Sequence, residues 1–492
     1  MNKENVKKNV CLIKDCDRPT HKKSTCCIFH ASAKEKTERE FRETLKEYVN
    51  IIKDEDKDYD FKGFVFIGII NFREDLSIAF LKYANFGRAT FRGSVNFGKV
   101  TFKGHANFRK TTFKKYADFG KATFKEHANF KEATFDGSAG FEEAIFEVYA
   151  DFRKATFKRH INFRKATFKR HTEFIEAIFE GQTDFRKAIF EGSANFGKAT
   201  FEDDADFRLK YFARVIHFLR IKVFSGKKLF IRLNNQGGKI SFERAYLENV
   251  YLNVELNEGV LIDFTNTLLR NTQIKKDQIE NHLLHEKKKK FSQAKEIFLL
   301  LKNNFHSIGR YDDESWAYKK EKDMERLSQS FPYYKATLKN ENKKESFPII
   351  KWVQKGNFKK WITSAFSNMI YGYGEKPWNV IKTAVAIILI FALSFSFIGL
   401  GNPEIIELKG TAIHQNSGKV VDLTSKGFLK NNLIRNFPDS LYFSLITFTT
   451  LGYGDFRPLE GIGRILAGSE AFIGAIMMAL FVYTFARRTG GR

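Results

Sequence analysis

The chain has 492 residues and carries 83 Lys and Arg against 57 Asp and Glu, a formal net charge of +26. Four cysteines in a chain of this length exclude a disulfide-stapled secreted scaffold. The average composition is that of a large basic soluble protein, for which nucleic acid is the obvious partner. However, 54 phenylalanines are an anomaly, and the length allows roughly three domains of unlike composition.

The four cysteines all lie within residues 1–32, on short turns. Two pairs of ligands on two turns can surround a tetrahedral zinc ion, and four protein ligands leave no open position for catalysis. We therefore predict a zinc-knuckle-like segment with a structural ion; reduced thiols beside an incidental histidine are the alternative. Cys26 is expected to pack beside the site, and His21 is a spare ligand. The predicted ligands of Zn²⁺ are Cys11, Cys16, Cys27 and His30.

Phenylalanine becomes periodic after residues 33–60, which are predicted to form a charged helix and an acidic linker. From Phe86 to Phe207 it recurs at alternating steps of five and six residues. An 11-residue period can form a right-handed coiled coil, but on a helix these steps place successive rings about 140° apart, in two stripes. In an extended chain, Phe and the small residue two positions before it point inward, while the Asn, Asp or Thr between them points outward. We prefer the extended interpretation.

The repeated unit, for example ADFGKATF at 117–124, resembles the pentapeptide-repeat family, whose unit is A-(D/N)-(F/L)-x-x. The resemblance implies a right-handed quadrilateral β-helix in which Phe stacks on Phe. The regular part predicts about six coils and a rod of roughly 30 Å, and less regular spacing extends the β-helix over residues 61–270. Some family members are acidic rods that mimic DNA, but residues 61–208 carry a net positive charge, which favours a solvated outer face.

A basic region connects the repeats to the C-terminal part of the chain. Residues 271–345 are predicted to form a charged helical hairpin, and residues 346–378 an elbow before the membrane. The stretch 209–360 supplies more than half of the net charge. Because it leads into an apolar stretch, its Lys and Arg are expected to contact anionic lipid headgroups, at about 1 kcal/mol each. Nucleic acid is not expected as a partner.

Two apolar stretches, 379–400 and 461–488, are long enough to cross a bilayer. The second ends in Arg487 and Arg488, which is typical of the cytoplasmic side. We predict a cell-membrane protein with two spans, an outer loop at 401–437 and both termini in the cytoplasm. Neither span carries Arg at every third position, which excludes a voltage sensor.

A re-entrant loop is predicted at residues 438–455, between the two spans. Pro438 at the first helical position, with an acidic residue after it, starts an apolar helix too short to cross the bilayer. Irregular backbone at membrane depth is tolerated only where protein buries it or where it lines a wet cavity. Residues 450–454 then supply successive carbonyl groups, and a fourfold ring of carbonyl oxygens can replace the hydration shell of K⁺.

This segment resembles the potassium-channel pore signature T-x-x-T-x-G-Y-G-D. The matching residues are Thr447, Thr450, Gly452, Tyr453, Gly454 and Asp455. The order of helix, pore loop and helix is that of two-span potassium channels, and the full order of domains resembles prokaryotic pentapeptide-repeat ion channels. The resemblance implies a homotetramer that conducts K⁺.

The resemblance also implies roles for single residues. Asp455 would lie at the outer mouth, with Tyr442 and Phe443 as an aromatic cuff. Leu451 stands where Val is commoner, and Ile446 stands where some members keep a buried carboxylate that would contact Asp455. The implied filter residues are Thr450, Leu451, Gly452, Tyr453 and Gly454. The implied pore-helix residues are Tyr442, Phe443, Thr447 and Thr449.

Two other glycine-containing features need an interpretation. A second GYG sequence at 372–374 has no Thr-rich helix and no apolar span before it, so it is predicted to belong to the elbow. Gly474, midway along the second span, is either a gating hinge or a site of close helix packing.

The predicted fold class is multi-domain: a right-handed quadrilateral β-helix, a helical linker and an α-helical two-span tetrameric pore. The predicted function is passive, potassium-selective conduction, with the β-helix in a regulatory or scaffolding role toward an unidentified ligand or protein. The alternatives are a membrane-tethered scaffold with a vestigial pore and a weakly selective cation channel. An enzyme is not expected, because the sequence shows no nucleophile–base or phosphate-binding arrangement.

Overall fold

The computed structural model describes residues 10–13, 16–22, 24–55, 57–233, 237–340, 347–398, 400–401, 412–413, 420–421, 428–458 and 461–489. They form two compact units, Met1–Ala317 and Tyr318–Arg492. Strands dominate the first unit, and helices dominate the second.

The first unit is a parallel β-solenoid with four faces, in agreement with the fold predicted from the repeats. Strands of successive coils pair in register, for example Ala117 with Ala139 and Asp118 with Gly140. Most strands are only two residues long, because the chain turns a corner after each inward-facing phenylalanine.

Within the described residues, each face is one parallel sheet. The first face contains Tyr59–Asp60, Ala84–Asn85, Ala106–Asn107, Ala128–Asn129, Ala150–Asp151, Thr172–Glu173, Ala194–Asn195, Val215–His217, Gly238–Ser241 and Val260–Asp263. The second contains Val65–Phe66, Thr90–Phe91, Thr112–Phe113, Thr134–Phe135, Thr156–Phe157, Ile178–Phe179, Thr200–Phe201 and Lys222–Val223. The third contains Ile70–Asn71, Val95–Asn96, Ala117–Asp118, Ala139–Gly140, Ile161–Asn162, Thr183–Asp184, Ala205–Arg208, Lys228–Leu233 and Tyr251–Leu256. The fourth contains Phe80–Leu81, Thr101–Phe102, Thr123–Phe124, Ile145–Phe146, Thr167–Phe168, Ile189–Phe190 and Tyr211–Phe212.

The solenoid is longer than the six coils expected from the regular phenylalanine spacing. Its longest face has ten strands in the described part of the chain, which corresponds to about 43 Å at ~4.8 Å per layer. The end coils fall in the less regular part of the predicted range 61–270, where larger aliphatic residues, such as Ile70, Ile216 and Ile240, take the inward positions that alanine takes elsewhere.

Phenylalanine rings fill the interior in columns that run along the solenoid. Phe119 lies 4.7 Å from Phe141 of the next coil, with ring planes 3° apart. It also meets Phe130 edge to face, with centroids 5.4 Å apart and planes at 90°. Stacked and edge-to-face contacts are both favourable for aromatic rings, so each buried ring is held by its own column and by its neighbour at the corner.

The outward polar residue of each repeat fixes the turn that follows it. The Asp118 carboxylate accepts a hydrogen bond from the Gly120 N–H at 2.8 Å, and Asn107 accepts one in the same way from Arg109 at 3.0 Å. Such Asx turns favour a tight corner. The turn continues through a left-handed residue, Lys121, with φ of 58°. The recurrence of Asn or Asp before Phe therefore has a local structural cause.

Helix α1, Glu38–Asp54, covers the N-terminal end of the solenoid. Thr37 and Glu40 form a capping box at its start. Its buried face packs on the first coil, where Phe41 meets Phe66 edge to face at 5.7 Å. The buried residues of this face are Phe41, Leu45, Val49 and Ile52.

The C-terminal end is covered by α2, Leu284–Lys287, and α3, Phe291–Ser307. The buried Asn304 side chain of α3 bonds both the N–H and the carbonyl of Thr272, each at 2.9 Å. In the last coil, burial would raise the pKa of Asp263, but hydrogen bonds from His285, Lys239 and Thr265 outweigh burial and hold this pKa below its usual range. Helix α4, Tyr311–Ser328, follows α3 along the chain.

The second unit is helical. Its elements are α5 (Phe331–Asn340), α6 (Pro348–Gln354), α7 (Asn357–Tyr371), α8 (Pro377–Ile398), α9 (Phe428–Phe448) and α10 (Gly461–Thr489). A 3₁₀ turn, Gly372–Gly374, follows α7, and a similar turn in the first unit is Lys276–Gln278. Two short antiparallel pairs join Leu400–Gly401 to Arg457–Pro458 and Ala412–Ile413 to Val420–Val421. Among the described helices, α8 and α10 are long and apolar enough to cross a membrane.

Helix α9 begins ten residues before the predicted start. It starts at Phe428, so Pro438 lies inside the helix rather than at its first position. Proline removes one main-chain donor and crowds the preceding turn. The turns before it keep their own N–H donors, and the helix is continuous from Phe428 to Phe448. The prediction that Pro438 starts the helix was therefore wrong.

We expect Phe130→Ala to loosen the solenoid locally by roughly 3–5 kcal/mol, since it removes a fully buried ring. Phe130 is stacked between Phe108 at 4.7 Å and Phe152 at 4.9 Å. Phe80, which is 57% exposed, is the matched control, and Phe80→Ala should cost less than about 1 kcal/mol. Hydrogen exchange of the flanking strands in the full-length protein measures both effects. Equal protection in the two variants would contradict the stacking account.

Candidate functional site

The loop after α9 is anchored to the last turn of that helix by main-chain hydrogen bonds. The Thr450 N–H donates to the Thr447 carbonyl at 3.0 Å, and the Leu451 N–H donates to the Ile446 carbonyl at 2.9 Å. The loop therefore follows any change in the position of α9. The Thr449 hydroxyl also donates to a carbonyl one turn earlier in the helix, at 2.8 Å.

The backbone of this loop alternates in handedness. Thr450, Gly452 and Gly454 have φ values of 61°, 47° and 82°, while the residues between them are not left-handed. Alternation of this kind turns successive peptide groups in the same direction, as a row of carbonyl oxygens facing one axis requires. A β-branched residue such as Thr450 pays about 1–3 kcal/mol for a left-handed conformation, and strain of this size is concentrated at functional sites.

The carbonyl groups of the loop lack donors in the described part of the chain: no N–H or O–H contacts the carbonyl oxygens of residues 450–454 there. The side chains of Leu451 and Tyr453 are 61% and 70% exposed. The loop thus presents acceptor oxygens and exposed side chains together.

The two aromatic residues of the implied cuff separate in the structure. The Tyr442 ring lies 6.1 Å from the ring of Phe456, the residue that directly follows Asp455. Phe443 points the other way and meets Phe395 of α8 at 4.9 Å, edge to face. Only Tyr442 lies beside the predicted outer mouth, while Phe443 joins α9 to α8.

Gly474 is packed tightly against the end of α9. A β-carbon built there would lie 1.9 Å from the Phe448 carbonyl oxygen. Such a distance cannot be relieved by a side-chain rotation, because the clash is with backbone. The contact is that of close helix packing, one of the two roles open for this residue.

The second GYG sequence forms a compact elbow rather than an open loop. Gly372, Tyr373 and Gly374 are all buried, and the Tyr373 hydroxyl lies 3.1 Å from that of Ser364. Gly374 leaves room for Arg487 of α10, whose Cδ would lie 3.1 Å from an added β-carbon.

Arg487 joins the end of α10 to this elbow. Its guanidinium lies 3.1 Å from the Glu375 carboxylate and 4.2 Å from the centre of the Tyr318 ring. The Glu375 side chain is only 11% exposed. From the sequence, Arg487 was predicted only to mark the cytoplasmic end of the span. The one sequence signal of this cluster is the acidic residue directly after the second GYG.

The four predicted metal ligands lie together in the first unit. The Sγ or Nδ1 atoms of Cys11, Cys16, Cys27 and His30 all lie within 4.8 Å of one another. Cys16 Sγ and Cys27 Sγ are 3.8 Å apart, and His30 Nδ1 lies 3.5 Å from Cys11 Sγ. A tetrahedral zinc with bonds of about 2.0–2.3 Å sets its ligand atoms roughly 3.5–3.8 Å apart, so the donor set fits the ion.

The second ring nitrogen of His30 supports the same role. His30 Nε2 lies 2.9 Å from the Lys62 carbonyl oxygen. A carbonyl can only accept, so the proton is on Nε2 and the Nδ1 lone pair faces the sulfurs, as in many metal-bound histidines. The bond also ties the cluster to the first coil of the solenoid.

Lys36 strengthens this end of the solenoid. Its ammonium donates to the carbonyls of Ile28 at 2.7 Å, Phe29 at 3.3 Å and Val65 at 2.6 Å. Burial lowers the pKa of Lys36 to about 7, although three carbonyl acceptors oppose the shift because they stabilise the charged form. Nothing in the sequence distinguished this lysine from the many exposed ones.

Comparison with known families assigns both parts of the chain. Residues 406–490 match a family model described as an ion channel, and residues 78–123, 119–167 and 163–208 match the model of pentapeptide repeats. The chain therefore combines an ion-channel domain with a pentapeptide-repeat solenoid. Together with α8 and α10, the channel match indicates a membrane protein.

Two of the curated relatives carry the name of a potassium channel. A candidate potassium channel protein of Rhodopseudomonas palustris is 36% identical over 56 residues, 11% of this chain and 14% of the relative. The potassium voltage-gated channel protein shk-1 of Caenorhabditis elegans is 42% identical over 50 residues, 10% and 9% of the two chains. Protein LctB of Geobacillus stearothermophilus is 41% identical over 70 residues, 14% and 52%. The chain spans about half or less of each relative, and no solved structure matches it significantly.

We expect Cys27→Ser to abolish zinc binding, because it removes one of four ligands. Cys26→Ser is the matched control and should keep about one zinc per chain, since Cys26 does not belong to the cluster. Metal analysis of the purified full-length variants measures the difference. Faster hydrogen exchange near Lys62 should accompany the loss in Cys27→Ser. Equal zinc content in the two variants would refute the assignment.

Proposed function

We propose that the protein is a potassium-selective channel in which four copies of the chain surround one passive pore. The observation that carries the proposal is the loop at residues 450–454, whose left-handed residues alternate along the chain and whose carbonyl oxygens have no donor among the described residues. The loop lies between two helices that can cross a membrane.

Desolvation explains why such a loop favours a cation. A buried carbonyl without a hydrogen bond costs several kilocalories per mole in an apolar medium, so irregular backbone in a membrane must face protein or a polar cavity. Four loops around one axis would place rings of carbonyl oxygens where they replace the water around K⁺. The cation would then supply the favourable interaction that the missing donors do not.

The fourfold arrangement also accounts for the exposed apolar surface of a single chain. The side chains of Ile465 and Phe472, on α10, are about 70% exposed. Leu451 and Tyr453 of the loop are exposed as well. Contacts between copies and with lipid would cover these side chains. We place both termini in the cytoplasm, with the basic stretch 209–360 near anionic headgroups.

For the first unit we propose a structural zinc ion and a regulatory role. The ion would cross-link the N-terminal segment and hold His30 against the first coil, in keeping with the fit of the four ligands. The solenoid would bind a ligand or protein that remains to be identified. Within the second unit, the Arg487 cluster would carry the response, since it joins the elbow and Tyr318 of α4 to the end of α10.

Gly454→Ala should lower the K⁺ to Na⁺ flux ratio by about tenfold or more, because a β-carbon disfavours the left-handed conformation at this position. Tyr453→Ala should have the same effect. Leu451→Val is the control and should keep the ratio, since Val is the commoner residue at this position of the pore signature and suits a backbone that is not left-handed. Flux into vesicles containing the purified tetramer measures the ratio. An unchanged ratio in Gly454→Ala would contradict the proposal.

Breaking the Arg487–Glu375 pair should change K⁺ flux without changing selectivity. Glu375→Gln and Arg487→Gln are each expected to shift the flux by about threefold or more, and the double variant should add nothing, because both remove one coupled interaction. Arg488→Gln, at the exposed neighbouring position, is the control. Additive effects of the two substitutions would show that the pair does not act as a unit.

A further inference from the structure

Glu470 is a buried carboxyl group within the second apolar helix. Its side chain has no exposed surface, and it lies on the face of α10 that packs inside the unit. The buried residues of that face are Gly463, Glu470, Gly474, Met477 and Thr484. An ionisable residue in a membrane helix is costly unless it has a partner, and such residues usually have a function.

The partner of Glu470 is a serine of the pore helix α9. The Ser444 hydroxyl lies within hydrogen-bond distance of Glu470 Oε1 and 2.9 Å from the main-chain carbonyl oxygen of Ile388 in α8. Ser444 is itself fully buried. The three groups therefore connect α8, α9 and α10 through one hydroxyl.

The number of protons available for these hydrogen bonds indicates whether the Glu470 carboxyl group is protonated. A serine hydroxyl has one proton to donate, but Ser444 faces two acceptors if Glu470 is ionised. A proton on Glu470 removes the conflict: Glu470 donates to the Ser444 oxygen, and Ser444 donates to the Ile388 carbonyl. In addition, Glu470 Oε2 is buried without a partner in the described part of the chain. A neutral carbonyl-type oxygen tolerates this far better than a charged one does.

We propose that Glu470, as a neutral carboxylic acid, is a positioning residue for the filter loop. It fixes α9 between the two spans through Ser444, and the main-chain bonds of Thr450 and Leu451 to the end of α9 pass that position on to the loop. The inference rests on the proposed channel function. In this proposal the buried carboxyl group behind the loop comes from the second span. The pore helix supplies none, because Ile446 stands at the position where some channels keep a carboxylate.

Substitutions of Glu470 and Ser444 distinguish the effect of their hydrogen bond from the effect of a charge on Glu470. Glu470→Gln keeps a neutral donor of similar size, so the K⁺ to Na⁺ flux ratio should stay within about twofold of the original. Glu470→Ala and Ser444→Ala remove the link, and each should lower the ratio by about tenfold, the effect of one buried hydrogen bond. Ser469→Ala is the control, because the Ser469 hydroxyl donates to the Ile465 carbonyl of its own helix and to no other helix in the described part of the chain. If Glu470→Ala does not assemble, Ser444→Ala carries the comparison.

Infrared spectroscopy tests the protonation state without relying on conduction. The purified wild-type protein at neutral pH should show a carboxylic acid carbonyl band that is absent from Glu470→Gln. Absence of this band in the wild type would overturn the proposal, as would a Glu470→Gln variant that loses selectivity as strongly as Glu470→Ala. If wild-type protein conducts K⁺ and Na⁺ equally, the proposed function fails instead, and the infrared band still decides whether Glu470 carries the proton.

Discussion

The need of every buried backbone group for a partner underlies the whole structure. In the solenoid, the N–H groups of each coil donate to carbonyls of the next, as Phe119 does to Gly140 at 2.7 Å. Identical side chains of successive coils stack in register, so the interior is filled without water. The main-chain hydrogen bonds between coils can therefore continue regularly along the axis. The 11-residue unit is therefore a solution to two demands at once, hydrogen bonding along the axis and aromatic packing across it.

The same constraint identifies the places where the regular pattern ends. At the first coil, Lys36 supplies donors to three carbonyls and His30 Nε2 supplies one to Lys62. At the last coil, Asn304 pairs with both main-chain groups of Thr272. The loop at residues 450–454 is the exception, since its carbonyl oxygens meet no donor among the described residues. In our proposal, K⁺ interacts with these oxygens in place of a hydrogen-bond donor. Unpaired carbonyl oxygens, which would destabilise buried backbone elsewhere, therefore form the ion-binding site.

Most of the architecture could be predicted because it repeats or follows a dense local signature. Inward Phe at fixed steps predicted the solenoid, and the cysteine spacing predicted which four ligands come together. The end coils repeat less regularly, because aliphatic residues replace the marker residues there, but the predicted range 61–270 includes them. The start of α9 was misplaced because Pro438 was taken as the first helical residue, whereas it lies inside the helix. The contacts of Lys36, Glu375 and Glu470 could not be predicted, because each joins segments distant in sequence and depends on burial that composition does not reveal.

The most direct test of the account is the reversal potential of the purified wild-type protein in a planar bilayer, with K⁺ on one side and Na⁺ on the other. Loops whose carbonyl oxygens replace the hydration shell of K⁺ should pass K⁺ in strong preference to Na⁺. The account predicts a reversal potential displaced far toward the equilibrium potential of K⁺. A reversal potential near zero, or no current from intact tetramers, would contradict it.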